Sequence, residues 1–500
     1  RSVSRGLGDV YKRQGIDHPV AGNAEGSYLT MHSRSGGIFF VINIVGNFGT
    51  VFLDNGYWNK AIASSPAAAL PGYIAGGIAW FAIPWLTATT MGLACLALET
   101  NPSFPTYPNR LSSDQVSAGL VLPSAAVAIM GKGGAVATLF MVFMAVTSAM
   151  SAELIAISTI FTYDIYKGYI NPNASGRRLI FTSHCTVIIF SLAMSGFATG
   201  LYYAGISMGY LYELMGIIIS AAVIPATMTL LSKHQNTISV IVSPILGTAI
   251  AIMSWLVSTH TMYGAITVDN TFMDDPMLIG NVVALLSPVI FIPLLTLIFG
   301  SQQFDFEKLK SIKRVDDLPE IEEAMQDVLQ GEPVIAADSD ASSNKDVEKL
   351  IPAKTNVTEI VEVFAHDQKA IDQAVAEEEH LKRAAKIAGW LCLAMSFSLL
   401  VIWPMPMYGS KYIFSKQFFT GWVTVGIIWI FVTAFIVIIY PLWEGRNGIY
   451  TSFRGLYWDL TGQTYKLREW QAEHPELLHA VQSQISANIA AQADIDEVLN

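Results

Sequence analysis

The chain has 500 residues, of which 52% are apolar and only 14% charged, and its mean hydropathy is +0.44. Soluble chains carry about 25% charged residues, so a soluble enzyme is excluded as the leading class, as is a secreted domain built on disulfides. The net charge of −11 also argues against a nucleic-acid partner, which requires a basic face.

Residues 1–14, RSVSRGLGDVYKRQ, are basic and lack an apolar core, and they read as a non-native leader. Native sequence is expected to begin near Gly15, with 15–35 an extracellular segment. Beyond it, nine stretches are apolar enough to span a bilayer, which takes about 20 residues because hydrocarbon cannot hold unpaired backbone polar groups. They lie at 36–53, 72–98, 133–163, 179–203, 206–231, 238–258, 278–300, 386–404 and 418–443. Asn43, Asn47 and four glycines interrupt the first. The third is longer than one simple crossing needs.

Basic residues in short loops set the orientation. Lys60, Lys167, Arg177, Arg178 and Lys233 follow the odd-numbered spans, whereas the loops at 99–132 and 259–277 hold few cations and include Asp269, Asp274 and Asp275. The reading is an exterior N-terminal end and a cytoplasmic C-terminus. The glycosylation-like triplets at Asn173 and Asn356 then fall on the cytoplasmic side and read as chance. The segment 301–384 holds 20 of the 40 acidic residues and reads as a solvated cytoplasmic loop with a short amphipathic piece at 356–364. It is either a spacer or a regulatory segment phosphorylated near Ser339, Ser342 and Ser343. The tail runs over 444–500.

Polar groups inside spans are functional candidates, since each costs roughly 2.5–3.5 kcal/mol at a helix centre. Asp54, Asn55, Trp58 and Asn59 close the first span, Glu153 lies in the third and Glu213 lies in the fifth beside Tyr210 and Tyr212. The run Gly46-Asn47-Phe48-Gly49 has two readings: a helix break that frees backbone groups for a ligand, or close helix packing. The third span carries Ala145, Thr147, Ser148, Ala149 and Ser151 before Glu153. Its hydroxyls and the Ala145 carbonyl suit Na⁺, and ordinary small-residue packing is the alternative.

No enzyme motif emerges. Gly131-Lys132-Gly133-Gly134 lacks the spacing of a phosphate loop, and the nine histidines form no metal-ligand pair. Cys95, Cys185 and Cys392 read as packed small hydrophobes. No cofactor or resident metal is expected.

Two stretches, GNFGTVFLDNGYWNKAIASSPAAALPGY with WFAIPWLTATTMGLACLAL (46–73 and 80–98) and AVTSAMSAELIAISTIFTYDIYK (145–167), resemble the sodium:solute symporter family and, within it, the urea active transporter branch. The resemblance covers about 15–465. It implies an all-α polytopic membrane protein with the leucine-transporter-type fold of two inverted five-helix repeats. Residues 36–231 would be the second repeat, 232–300 two additional spans and 385–443 two C-terminal spans, with the first repeat missing from this chain.

It also implies cation-coupled symport of urea by alternating access, with polyamines as a further substrate class and the plasma membrane as the location. By that resemblance Asp54 contacts substrate, with Trp58 a flat wall and Asn55 beside it, and Tyr212 or Glu213 adds a polar contact. The cation site falls on Ala145 and Ser148, but its second hydroxyl position is Ala149, so Thr147 or Ser151 would have to compensate. That departure makes proton coupling through Asp54, Glu153 or Glu213 a rival to Na⁺, in keeping with proton-coupled members of the branch. A passive urea channel, a membrane-embedded solute sensor and a symporter of another small solute are the competing functions.

Overall fold

The computed structural model describes residues 17–63, 66–172, 174–306 and 381–461. The leader, nearly all of the acidic loop with its serines and its amphipathic piece, both triplet asparagines and the tail beyond 461 lie outside the described residues. Among the described residues there is no strand, only two isolated bridges, Asn23 with Ser33 and Thr30 with Ile413. Nine helices among the described residues are long and apolar enough to cross a membrane.

In chain order the elements are α1 (Arg34–Leu53), α2 (Asn55–Ala63), α3 (Ala69–Leu98), α4 (Val121–Met130), α5 (Lys132–Ile170), α6 (Gly176–Tyr203), α7 (Met208–Leu231), α8 (Thr237–Tyr263), α9 (Asp274–Phe299), α10 (Leu381–Gly409), α11 (Lys416–Glu444) and α12 (Arg446–Leu460). All nine spans expected from the sequence are present. Polar caps fix where several begin, because a side-chain oxygen satisfies an orphan amide of the first turn. Ser33 accepts from Gly36, Ser207 from Tyr210, Asn236 from Ser239 and Ser415 from Phe418. α8 ends at Gly264 in the left-handed conformation at φ +79°, which glycine adopts without steric cost.

α5 is 39 residues long, roughly 58 Å at a helical rise, well beyond a hydrocarbon core of about 30 Å. Its last eleven residues, Ile160–Ile170, are wound as π-helix. Further π-turns occur at Ile83–Ala88, Phe397–Ile402 and Phe435–Ile439. The sequence reading left α4 inside a loop and did not separate α12 from the tail.

α1, α7, α8 and α9 form the tightest packing unit. Ile42, Tyr210, Ile217, Ala251, Trp255, Met277 and Ala284 are its buried centre. Glycines let the backbones approach: a Cβ on Gly216 would collide with Asn281 Oδ1 and sit 3.2 Å from the Cα of Gly46, and one on Gly49 would lie 2.7 Å from Ile219 Cγ1. Ser220 Oγ donates to the Val45 carbonyl at 2.9 Å across the same contact. Gly46 and Gly49 are therefore packing residues.

A second unit joins α3, α10 and α11. Trp85 meets Trp403, Trp422 and Trp429 with ring centroids 5.3–5.8 Å apart, and Trp429 Nε1 donates to the Ile78 carbonyl at 3.0 Å. Cys95 packs with Phe104 and Ala125, as a small hydrophobe does, while Cys185 is half-buried and Cys392 exposed.

The helix ends sort into two groups. At one end Phe414 N–H donates to Leu29 O at 2.8 Å, and Arg110 bridges Tyr28 and Glu99. There too Arg34 grips Asp275 in a bidentate pair at 2.7 and 2.9 Å, beside Ser35 and Asp274. At the other end Asn236 Nδ2 donates to Gly300 O and Phe304 N–H to Lys233 O. The starts of α1, α7 and α9 lie together, as an alternating order of crossings requires.

Candidate substrate and coupling site

α1 stops where the sequence changes from apolar to polar. Asp54 is extended at φ −73°, ψ 110°, and the chain re-enters helix at Asn55 as α2. The broken helix is real, but the break falls at Asp54 and not at the glycines one and two turns earlier. Asp54 Oδ1 accepts from Gly56 N–H at 2.7 Å and Trp58 Nε1 donates to the Phe52 carbonyl at 3.1 Å. Both bonds satisfy backbone groups that an interrupted helix leaves orphaned. Asn55 is half-buried beside them.

The break packs against the middle of α5. A Cβ on Gly56 would lie 3.7 Å from the Ala152 carbonyl, and Asn59 Nδ2 donates to Thr159 Oγ1 at 3.1 Å. The carboxyls of Glu153 and Asp54 are near enough to interact, with Lys60 as the nearby countercharge. Two carboxyl groups can hydrogen-bond only if one carries a proton, since ionised carboxylates are acceptors alone.

The residues expected to hold a cation are not gathered. Ala145, Thr147, Ser148, Ala149 and Ser151 lie on exposed surface of α5. Thr147 Oγ1 donates to Phe143 O and Ser151 Oγ to Ser148 O, both at 2.8 Å within the same helix. Ala149, the position without a hydroxyl, stands one turn before Glu153 on the same face. Among the described residues no cluster of His, Cys, Asp and Glu has the makings of a metal site.

Tyr212 and Glu213 part company. Tyr212 turns toward α1, where its hydroxyl donates to Asn43 Oδ1 and accepts from Asn47 Nδ2 at 3.2 Å. Its ring stacks on Phe39 with centroids 5.9 Å apart. Glu213 turns toward Asp274 of α9, and its carbonyl accepts from Asn281 Nδ2 at 3.0 Å. It takes no part in the carboxyl pair.

Sequence reasoning noticed Asn43 and Asn47 only as interruptions of an apolar run. The signal was their spacing with Asp54: positions 43, 47, 50 and 54 recur at four, three and four, the period of one helix face. Thr50 completes the stripe and donates to Gly46 O at 3.2 Å.

Nine apolar spans among the described residues, one of them interrupted at a carboxylate with polar groups striped along it, have the character of a polytopic membrane transport protein. The chain belongs to the urea active transporter family. It is 59% identical to the urea active transporter of Saccharomyces cerevisiae over 98% of its own length and 69% of the relative's. It is 51% identical to the probable urea active transporter 1 of Schizosaccharomyces pombe, covering 89% of this chain and 59% of that one. A urea-proton symporter of Oryza sativa subsp. japonica is 46% identical over 54% of this chain and 36% of its own length. No family model matches the chain, and no solved structure does.

Proposed function

We propose that the protein moves urea inward together with a proton, and that Asp54 and Glu153 hold that proton. The observation that carries this reading is the meeting of the two carboxyls at the break between α1 and α2. The name of the Oryza relative, a urea-proton symporter, supports the choice of ion. The missing hydroxyl at Ala149 favours a proton over Na⁺.

The physical logic is electrostatic. With one proton the pair is joined by a hydrogen bond and carries a single negative charge opposite Lys60. Without it the two carboxylates repel, unit charges about 4 Å apart in an effective dielectric of about 20 interacting by roughly 4 kcal/mol, which favours separation of the helix break from α5. Proton occupancy thereby selects between a closed and an opened contact, which is the differential stabilisation that alternating access requires.

Coupling is needed because urea is neutral and gains nothing from the membrane potential. One proton gains about 2.3 kcal/mol per 100 mV, or roughly 50-fold accumulation. We further assign the C-terminus to the cytoplasm, from the cations after odd-numbered spans, and the protein to the plasma membrane.

Urea added to vesicles holding the intact protein, at symmetrical pH and without Na⁺, should acidify the lumen as protons enter with substrate. Uptake of labelled urea without a lumenal pH change would refute proton symport.

A further inference from the structure

The proposed carboxyl pair can accept from urea N–H groups but keeps no free donor for the urea carbonyl, and a second polar centre stands higher on the same face of α1. Asn43 and Asn47 are one helical turn apart, with Cβ atoms about 5–6 Å from each other, and both are half-buried near the middle of the span. Asn47 Nδ2 is saturated by Asn43 O at 2.8 Å, Asn43 Oδ1 at 2.5 Å and the Tyr212 hydroxyl at 3.2 Å, and that hydroxyl donates to Asn43 Oδ1.

These bonds lock the two amides in one orientation and leave a specific remainder. Asn43 Nδ2 keeps both of its N–H donors, and Asn47 Oδ1 keeps its acceptor, with no partner among the described residues. In a bilayer such groups are costly to leave unpaired.

We propose that Asn43 and Asn47, braced by Tyr212, form the urea recognition site. The free Asn43 N–H groups donate to the urea carbonyl, and Asn47 Oδ1 accepts from a urea N–H. The aromatic ring of Phe39, stacked on Tyr212, walls the site on the side toward the start of α1. Asp54 follows Asn47 by seven residues on the same face, about 10 Å along the axis, so recognition and proton binding sit at two levels of one polar stripe.

This assignment rests on the reading of the chain as a urea transporter. Uptake of labelled urea and labelled thiourea is measured in vesicles bearing the intact protein and its Asn43→Ala and Asn47→Ala variants, with membrane abundance measured alongside. Thiourea offers a weak sulfur acceptor in place of the carbonyl oxygen. The expected result is a urea KM raised at least about tenfold in each variant, a Vmax per molecule within twofold, and a urea-over-thiourea preference that collapses in Asn43→Ala and persists in Asn47→Ala.

An unchanged KM and an unchanged preference at normal abundance would overturn the site. A side-chain contact that merely glued α1 to α7 would lower abundance without moving the thiourea ratio, and that result would also overturn it. Should Asn43→Ala fail to reach the membrane, Asn43→Ser carries the same test, because a serine can bond back to its own helix and spare the fold. Failure of the unsubstituted protein to take up urea would instead defeat the functional reading beneath the proposal.

Discussion

Asp54 and Glu153, ninety-nine positions apart in the chain, meet carboxyl to carboxyl where α1 ends against the middle of α5. Neither residue belongs to the other's local structure, so the contact depends on the break in α1 and on the close approach of Gly56 to the Ala152 carbonyl. In the proposed mechanism the pair ties the coupling proton to the break between α1 and α2, and substrate is recognised along α1.

Glu153→Gln keeps the shape of the contact and removes the proton that the proposed mechanism places there. Accumulation should fall from about 50-fold at 100 mV to equality across the membrane, while labelled urea still equilibrates. Asp54→Asn should behave alike, because Asn retains the oxygen that accepts from Gly56 N–H at 2.7 Å. Retained accumulation in both variants would remove the pair from the coupling step.

Gly216→Ala forces a methyl group into Asn281 and toward the backbone of Gly46. Overpacking of this kind costs roughly 1–3 kcal/mol, and the midpoint of thermal unfolding in detergent should drop by several degrees. Gly196→Ala, where a Cβ meets nothing within 4 Å, serves as the control and should show no loss.

Arg110 links the segment before α1 to the end of α3. Its Nε donates to Glu99 at 2.8 Å and its Nη2 to the Tyr28 hydroxyl at 3.2 Å. Burial alone would lower its pKa, but the bonds to Glu99 and Tyr28 outweigh that effect and hold it above the ordinary guanidinium value. The guanidinium therefore stays charged through the neutral range. Arg110→Ala strands the Glu99 carboxylate, whose side chain is 8% accessible, and should destabilise by about 2 kcal/mol, between surface and fully buried pairs. Tyr28→Phe, which removes one weaker bond, should cost about 1 kcal/mol or less.

The orientation can be read chemically. In a background where Cys95, Cys185 and Cys392 are replaced, a membrane-impermeant thiol reagent should label Asp269→Cys on intact cells. Ser452→Cys in α12 should react only after permeabilisation. The reverse pattern would invert the topology.

Much of this architecture is legible in the sequence, because hydrocarbon imposes one rule on every span: twenty apolar residues with internally paired backbone. All nine spans follow from it. Asp54, Trp58 and Glu153 also stand out, as polar groups that apolar runs tolerate only for a reason. The position of the break did not follow, since Gly46 and Gly49 have the same composition whether they bend a helix or admit a neighbour, and only the neighbours Met215, Gly216 and Ile219 decide. Nor did the separation of Tyr212 from Glu213, which depends on how α7 is rotated between α1 and α9. Asn43 and Asn47 were hidden by reading them singly; their register with Asp54 carries the information.

The most direct test is labelled-urea accumulation by the intact protein in sealed vesicles under a proton gradient alone and under a Na⁺ gradient alone, each with Glu153→Gln beside it. Proton-driven accumulation that disappears in Glu153→Gln, with no response to Na⁺, is the predicted result. Accumulation driven by Na⁺ and indifferent to Glu153→Gln would contradict the account and return the coupling site to the hydroxyl face of α5.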